Sequence, residues 1–197
     1  MLSAVAVLSL VLFAVLLIVV WHMRGPIGVD RALDGATRQP NVQLLSRLAR
    51  LGSEGFVFLG VAAVAVVAYA CRDKPGVAIC VVGPALAAVC ELIAKPVVHR
   101  MDRYFLSYPS GHATLSASLA ALIVVVAYRL GGARAAAVAA VPAAVLPLLV
   151  SVAVVRLRWH YPTDAIGGVA LGVGVVCAMA LAVGQIPQKS DELVKAD

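Results

Sequence analysis

Long apolar runs alternate with polar connections along this chain, and the runs predict its elements. A helix that crosses the hydrocarbon core of a bilayer needs about 20 predominantly apolar residues. Six stretches qualify to within a few residues at each end: Leu2 to Val20, Gly55 to Cys71, Val77 to Ala94, Ala113 to Tyr128, Ala135 to Val155 and Ala165 to Gly184. The second and fourth are short and must draw on flanking residues. Pro84, Pro142 and Pro147 fall inside runs, where neighbouring helices or water can satisfy the carbonyls a proline frees. Gly168 and Gly172 form a G-x-x-x-G in the last run. Close packing inside the fold is one reading of it, and a homodimer contact is the other. The expected fold is an all-α integral membrane protein, a six-transmembrane-helix bundle. Residues 1–187 form one domain, followed by a short charged cytoplasmic tail over 188–197.

The polar connection between runs one and two carries its own signal. Asn41 follows Pro40 and can cap a helix whose Leu44, Leu45, Leu48 and Leu51 share a face, with Gly52 as the stop and Arg47 and Arg50 at the stripe's edge. That pattern predicts an amphipathic helix lying on the headgroups, either packing on the surface or gating access for a substrate. Crossing parity then matters. The connections after run one, before run four and before run six must share one side of the membrane. Residues 95–112 and 156–164, far apart in sequence, therefore meet at one lipid–water boundary.

Composition agrees with the bilayer reading: 62% of residues are hydrophobic and 13% charged, against about a quarter charged in a soluble domain. The net charge of +6 fits anionic headgroups or a phosphorylated substrate. Nucleic acid is excluded as a partner, because the basic residues are scattered between apolar runs. Cys71, Cys80, Cys90 and Cys177 lie in or beside runs without C-x-x-C spacing and read as small packed thiols. The N-terminus is apolar from Leu2 and lacks a basic n-region, so the first run is expected to remain as an anchor. Most lysines and arginines fall on the shared side, but the balance becomes even once those near the candidate site are set aside. The positive-inside rule then gives no orientation.

Ionisable residues next to a bilayer are costly and are functional candidates for that reason. All four histidines fall on the shared side, and three of them, His99, His112 and His160, lie within three clusters. Lys95-Pro-Val-Val-His-Arg-Met-Asp-Arg103 ends run three, and interfacial snorkelling alone would also account for its cations. Glu91 lies one turn before Lys95, where it either pairs with the lysine or packs as a neutral acid. Pro109-Ser110-Gly111-His112 leads into run four. Backbone amides at a helix N-terminus favour an anion, glycine lets a phosphate approach, and the serine adds a hydroxyl. A plain cap with a chance histidine is the other reading. Arg156-Leu-Arg-Trp-His160-Tyr-Pro-Thr-Asp164 leads into run six. Asp164 stands four residues after His160 and can accept a hydrogen bond from one ring nitrogen, leaving the other as a nucleophile. With His112 these residues could also ligate a metal, but the neighbouring arginines suit an anion, so no metal or cofactor is expected.

In order and spacing the three clusters resemble the type 2 phosphatidic acid phosphatase family, which includes haloperoxidase relatives. Its pattern is K-x6-R-P, then P-S-G-H, then S-R-x5-H-x3-D. Pro109 to His112 and His160-x3-Asp164 stand intact here. The first arginine's register falls on Asp102, leaving Arg100 or Arg103 to serve. The second falls on Val154, leaving Arg156 or Arg158. The resemblance implies that His160 attacks phosphorus to form a phosphohistidine, Asp164 orients it and His112 protonates the leaving alcohol. It also implies that Lys95, Arg100, Arg103, Ser110, Gly111 and Arg156 hold the phosphoryl oxygens. The implied substrate is a lipid phosphate (phosphatidate, phosphatidylglycerol phosphate, or a polyprenyl phosphate or diphosphate), met at the extracytoplasmic face of a bacterial plasma membrane. A non-catalytic lipid-phosphate binder with a degraded cage is the main alternative. A haloperoxidase fits poorly with six spans, and a serine protease using Ser110 lacks a G-x-S-x-G-type elbow.

Overall fold

The computed structural model describes residues 2–34, 41–102 and 105–184. Among the described residues, seven helices and one two-stranded ribbon follow in order: α1 (Leu2–Met23), α2 (Gly28–Asp34), α3 (Val42–Arg50), α4 (Glu54–Ala70), α5 (Lys74–Val98), β1 (Met101–Asp102), β2 (Phe105–Leu106), α6 (Gly111–Arg156) and α7 (Pro162–Gly184). The fold is an all-α membrane protein. Helix α1 is apolar all round and buries only Ala6 and Val20, leaving Val7, Leu8, Val11 and Val15 exposed, as lipid-facing positions require.

Four single helices, α1, α5, α6 and α7, are long and apolar enough to cross a membrane, and the bent pair α3–α4 makes a fifth candidate. The six runs of the sequence differ from this count at two places. Helix α4 has 17 residues, short of one crossing by itself. Runs four and five are joined as α6, whose 46 residues would extend about 69 Å at 1.5 Å each, twice the hydrocarbon thickness. Gly132 breaks it, with φ 71° and ψ −165°, a conformation open to glycine and poorly available to other residues. Both ends of α6 nevertheless meet, since the His112 ring lies 5.8 Å from that of Trp159 just past the C-terminus. The chain therefore doubles back at Gly132, and α6 is two antiparallel arms.

Helix α7 is the centre of the bundle and packs on α1, α5 and α6. Its glycines make this possible. A Cβ on Gly168 would stand 2.5 Å from the Ser110 carbonyl oxygen, and one on Gly172 would strike that of Thr114. The G-x-x-x-G face is thus consumed inside the chain by α6, which removes it as a homodimer contact. Ile79, Cys80, Leu122, Val126 and Val176 fill the main core between α5, α6 and α7.

Asn41 caps α3, its side-chain oxygen accepting from the Leu44 N–H at 3.1 Å. Leu45, Leu48 and Leu51 pack on Val150, Ala153 and Val154 of the second arm of α6, while Leu44, Arg47 and Arg50 are exposed. All four cysteines are free; Cys80 and Cys177 are buried, but Cys71 is exposed, which corrects its reading as a packed thiol. At the opposite end of the bundle Asp73 caps α5 and receives two hydrogen bonds from Arg129, 2.7 and 2.5 Å. The tail over 188–197 lies outside the described residues.

Candidate active site

Three chain segments converge at one end of the bundle: the end of α5 with the ribbon after it, the start of α6, and the link from α6 to α7. His99 ends α5 in the left-handed region, φ 50°, its N–H donating to the Lys95 carbonyl. This turn sends Arg100 into the protein. The chain then runs through β1 and β2 to Ser107, Tyr108 and a cis Pro109. Ser110 caps α6, its hydroxyl oxygen accepting from the Ala113 N–H at 3.5 Å.

Two hydrogen bonds stitch the connection before α6 to the one before α7. The Ser110 N–H donates to the Asp164 carbonyl at 3.0 Å, and His160 Nδ1 lies 2.9 Å from the Ser107 carbonyl oxygen. A carbonyl can only accept, so Nδ1 carries a proton, and in the neutral ring the lone pair lies on Nε2. This corrects the expectation that Asp164 accepts a hydrogen bond from the imidazole. The Asp164 carboxylate is 3.8 Å from Nδ1, beyond hydrogen-bond reach, because both its oxygens are committed elsewhere. Oδ2 accepts from the Tyr161 N–H at 3.0 Å. That is the back-reaching half of a capping box at the start of α7, where Pro162 takes the first helical position. Oδ1 takes Arg100 at 2.6 Å.

Arg100 is the second correction. Assigned from sequence to the phosphoryl oxygens, it has no exposed surface. Nη1 donates to Thr163 Oγ1 (2.7 Å) and Asp164 Oδ1, while Nη2 donates to Asp30 Oδ2 (2.6 Å) and the Gly25 carbonyl (3.0 Å). Its carbon lies 4.2 Å from the centre of the Tyr161 ring. Nε alone has no partner among the described residues. Asp30 also accepts from the Thr163 backbone N–H and hydroxyl, at 3.0 Å. Two carboxylates thus hold one guanidinium in a buried site, and the network ties the connection after α1 to the first turn of α7.

The remaining residues surround the two histidines. His112 is half-buried and lies within electrostatic range of His160, Lys95 and Glu54. Lys95 Nζ is 2.5 Å from Glu91 Oε1. Phe105 meets His160 edge-on, ring centres 5.9 Å apart, and Trp159 flanks His112. Arg156 stands in the last turn of α6 and lines an apolar cavity of about 1610 Å³ between α1, both arms of α6 and α7. No hydrogen bond or ion pair joins Arg156 to either histidine among the described residues. Arg103 lies outside the described residues, beside Asp102. Burial, followed by the Asp102 carboxylate, pushes the Tyr161 phenol above its usual range. Burial does the same to Tyr108, whose hydroxyl donates to the Phe13 carbonyl at 3.3 Å. No three His, Cys, Asp or Glu side chains among the described residues form a metal-ligand group.

Sequence reasoning missed Asp30, Thr163, Ser107 and Glu54. Asp30 lay in a polar connection alongside Asp34 with nothing to single it out. Ser107 acts through a main-chain carbonyl and leaves no trace in side-chain chemistry.

The fold matches that of a solved structure. A crystal structure titled as the first transmembrane PAP2 type phosphatidylglycerolphosphate phosphatase, from Bacillus subtilis, superposes with a TM-score of 0.73. The match covers 93% of this chain and 98% of that one at 18% identity, which is a likeness of fold. No curated protein matches the sequence. The family model described as PAP2 superfamily matches residues 55–187, a stretch that contains both histidines, Lys95, Arg156 and Asp164, and the chain belongs to that superfamily.

Proposed function

We propose that this chain is a membrane lipid-phosphate phosphatase that works through a phosphohistidine at His160. The observation that carries the reading is the Nδ1–Ser107 hydrogen bond, which in the neutral ring leaves Nε2 as the nucleophile, with His112 within electrostatic range. In the first step Nε2 forms the bond to phosphorus while the bond to the lipid oxygen breaks, and that oxygen takes a proton from His112. In the second, His112 removes a proton from water, whose oxygen displaces the histidine to release phosphate. Phosphoryl transfer is mostly positioning and charge stabilisation. Lys95, the Ser110 hydroxyl, the first amides of α6, Arg156 and Arg103 supply these. Arg100 and Asp164 act as positioning residues behind His160.

The substrate is a lipid phosphate, because the site sits at the ends of membrane-crossing helices. Phosphatidate, phosphatidylglycerol phosphate and polyprenyl phosphate or diphosphate all satisfy that geometry. The site faces the extracytoplasmic side of a bacterial plasma membrane in this reading. The test is phosphate release from these lipids by detergent-solubilised protein. Activity should persist in EDTA and fall by at least about a thousandfold in His160→Ala. Loss of activity in chelator with rescue by zinc would overturn the metal-free cage.

One observation favours a second reading. Arg100 is committed to two carboxylates, Asp102 and Val154 stand in the family's arginine positions, and so the cage is poorer in cations than the family pattern. A protein that binds lipid phosphate without cleaving it fits this too. Binding without release, unaffected by His160→Ala, would establish that reading.

A further inference from the structure

Glu91 lies one helical turn before Lys95 on α5, and that spacing brings their side chains together. The ammonium is 2.5 Å from Oε1, with the two side chains 26% and 9% exposed. The carboxylate has a second neighbour. A Cβ placed on Gly111 would stand 2.8 Å from Glu91 Oε1 and 3.2 Å from Oε2, so the carboxylate rests against the first residue of α6. The first turn of a helix has unpaired N–H groups and a positive dipole end, which together favour an anion. A built-in carboxylate thus sits between two of the features that would receive a phosphoryl group. The other charged groups facing this corner are His112 from α6, with Glu54 of α4 and His160 within its electrostatic range.

We propose that Glu91 is an internal competitor for the phosphoryl site: an incoming phosphoryl group must share or take Lys95 from it, and departing phosphate is replaced by it. The inference rests on the function proposed above and adds a residue that sets the site's affinity for substrate and product. A carboxylate that merely held Lys95 in place would have the opposite effect on binding, so the sign of one measurement separates the two roles.

The experiment is calorimetric titration of inorganic phosphate into the full chain in detergent at fixed pH. Wild type is compared with Glu91→Gln and, in case the amide disturbs folding, Glu91→Met, each checked by thermal unfolding. Removing the carboxylate should tighten phosphate binding on the order of tenfold and strengthen product inhibition of turnover to match. Wild-type or weaker affinity in the folded variants overturns the competitor role and leaves the phosphatase reading standing. If neither wild type nor any folded Glu91 variant binds phosphate, the functional reading falls and takes this inference with it.

Discussion

Replacing Asp30 with alanine tests whether the buried cluster around Arg100 holds the site together. Asp30 is 1% exposed and Arg100 is fully buried, so water cannot take the place of the lost carboxylate. The substitution breaks the 2.6 Å pair to Nη2. It also removes the acceptor for the Thr163 backbone N–H, leaving a buried donor without a partner. Breaking a buried ion pair from one side costs about 3–5 kcal/mol. The Asp164 carboxylate, 2.6 Å from Nη1, still neutralises the guanidinium, so the lower end applies, about 3 kcal/mol. For a domain of this size that corresponds to a melting temperature about 6–12 °C lower. The assay is thermal unfolding of purified protein in one detergent, with the exposed Arg47→Ala as reference. Asp30→Asn keeps an acceptor for Thr163 and should lose less. Turnover should fall in kcat more than in KM, because the first turn of α7 shifts beneath His160 while Lys95 stays in place. An Asp30→Ala protein that melts within about a degree of the reference, with wild-type kcat, would refute the reasoning.

Gly172→Ala should destabilise the bundle by about 1–3 kcal/mol, since its new methyl meets the Thr114 carbonyl and the Ser118 backbone; thermal unfolding reads this directly. Acid should weaken the opposite end of the protein. The hydrogen bond from Arg129 holds the Asp73 carboxyl below its ordinary 3.8, so its stabilisation is complete above that value and is lost as pH falls through the lower folded pKa. Acid-unfolding curves of wild type and Asp73→Asn should therefore differ at neutral pH and converge once the wild-type carboxyl is protonated.

Bilayer-length apolar runs made the helices legible, and crossing parity made the meeting of two distant connections legible. Those connections are joined by the Ser110–Asp164 and Ser107–His160 hydrogen bonds. The Asn41 cap and the close packing of Gly168 and Gly172 could also be read from residue type and spacing. What stayed hidden was how the charges are distributed among partners. Arg100 and Arg156 look alike as letters beside a membrane, yet one is sealed between Asp30 and Asp164 and the other lines an apolar cavity. Asp30 acquires its role only when the connection after α1 folds back onto α7. The reversal within α6, by contrast, was legible: Gly132 lies in the gap between the fourth run, ending at Tyr128, and the fifth, starting at Ala135.

His160 is steered by a main-chain oxygen, which means that aiming the ring and balancing its charge fall to different groups. A peptide dipole fixes which nitrogen is bare, and no side-chain replacement can delete it. The carboxylate of Asp164 supplies only a field from 3.8 Å. A chain stripped of that carboxylate would retain the hydrogen bond that sets the tautomer, while losing one of the two carboxylates that hold Arg100.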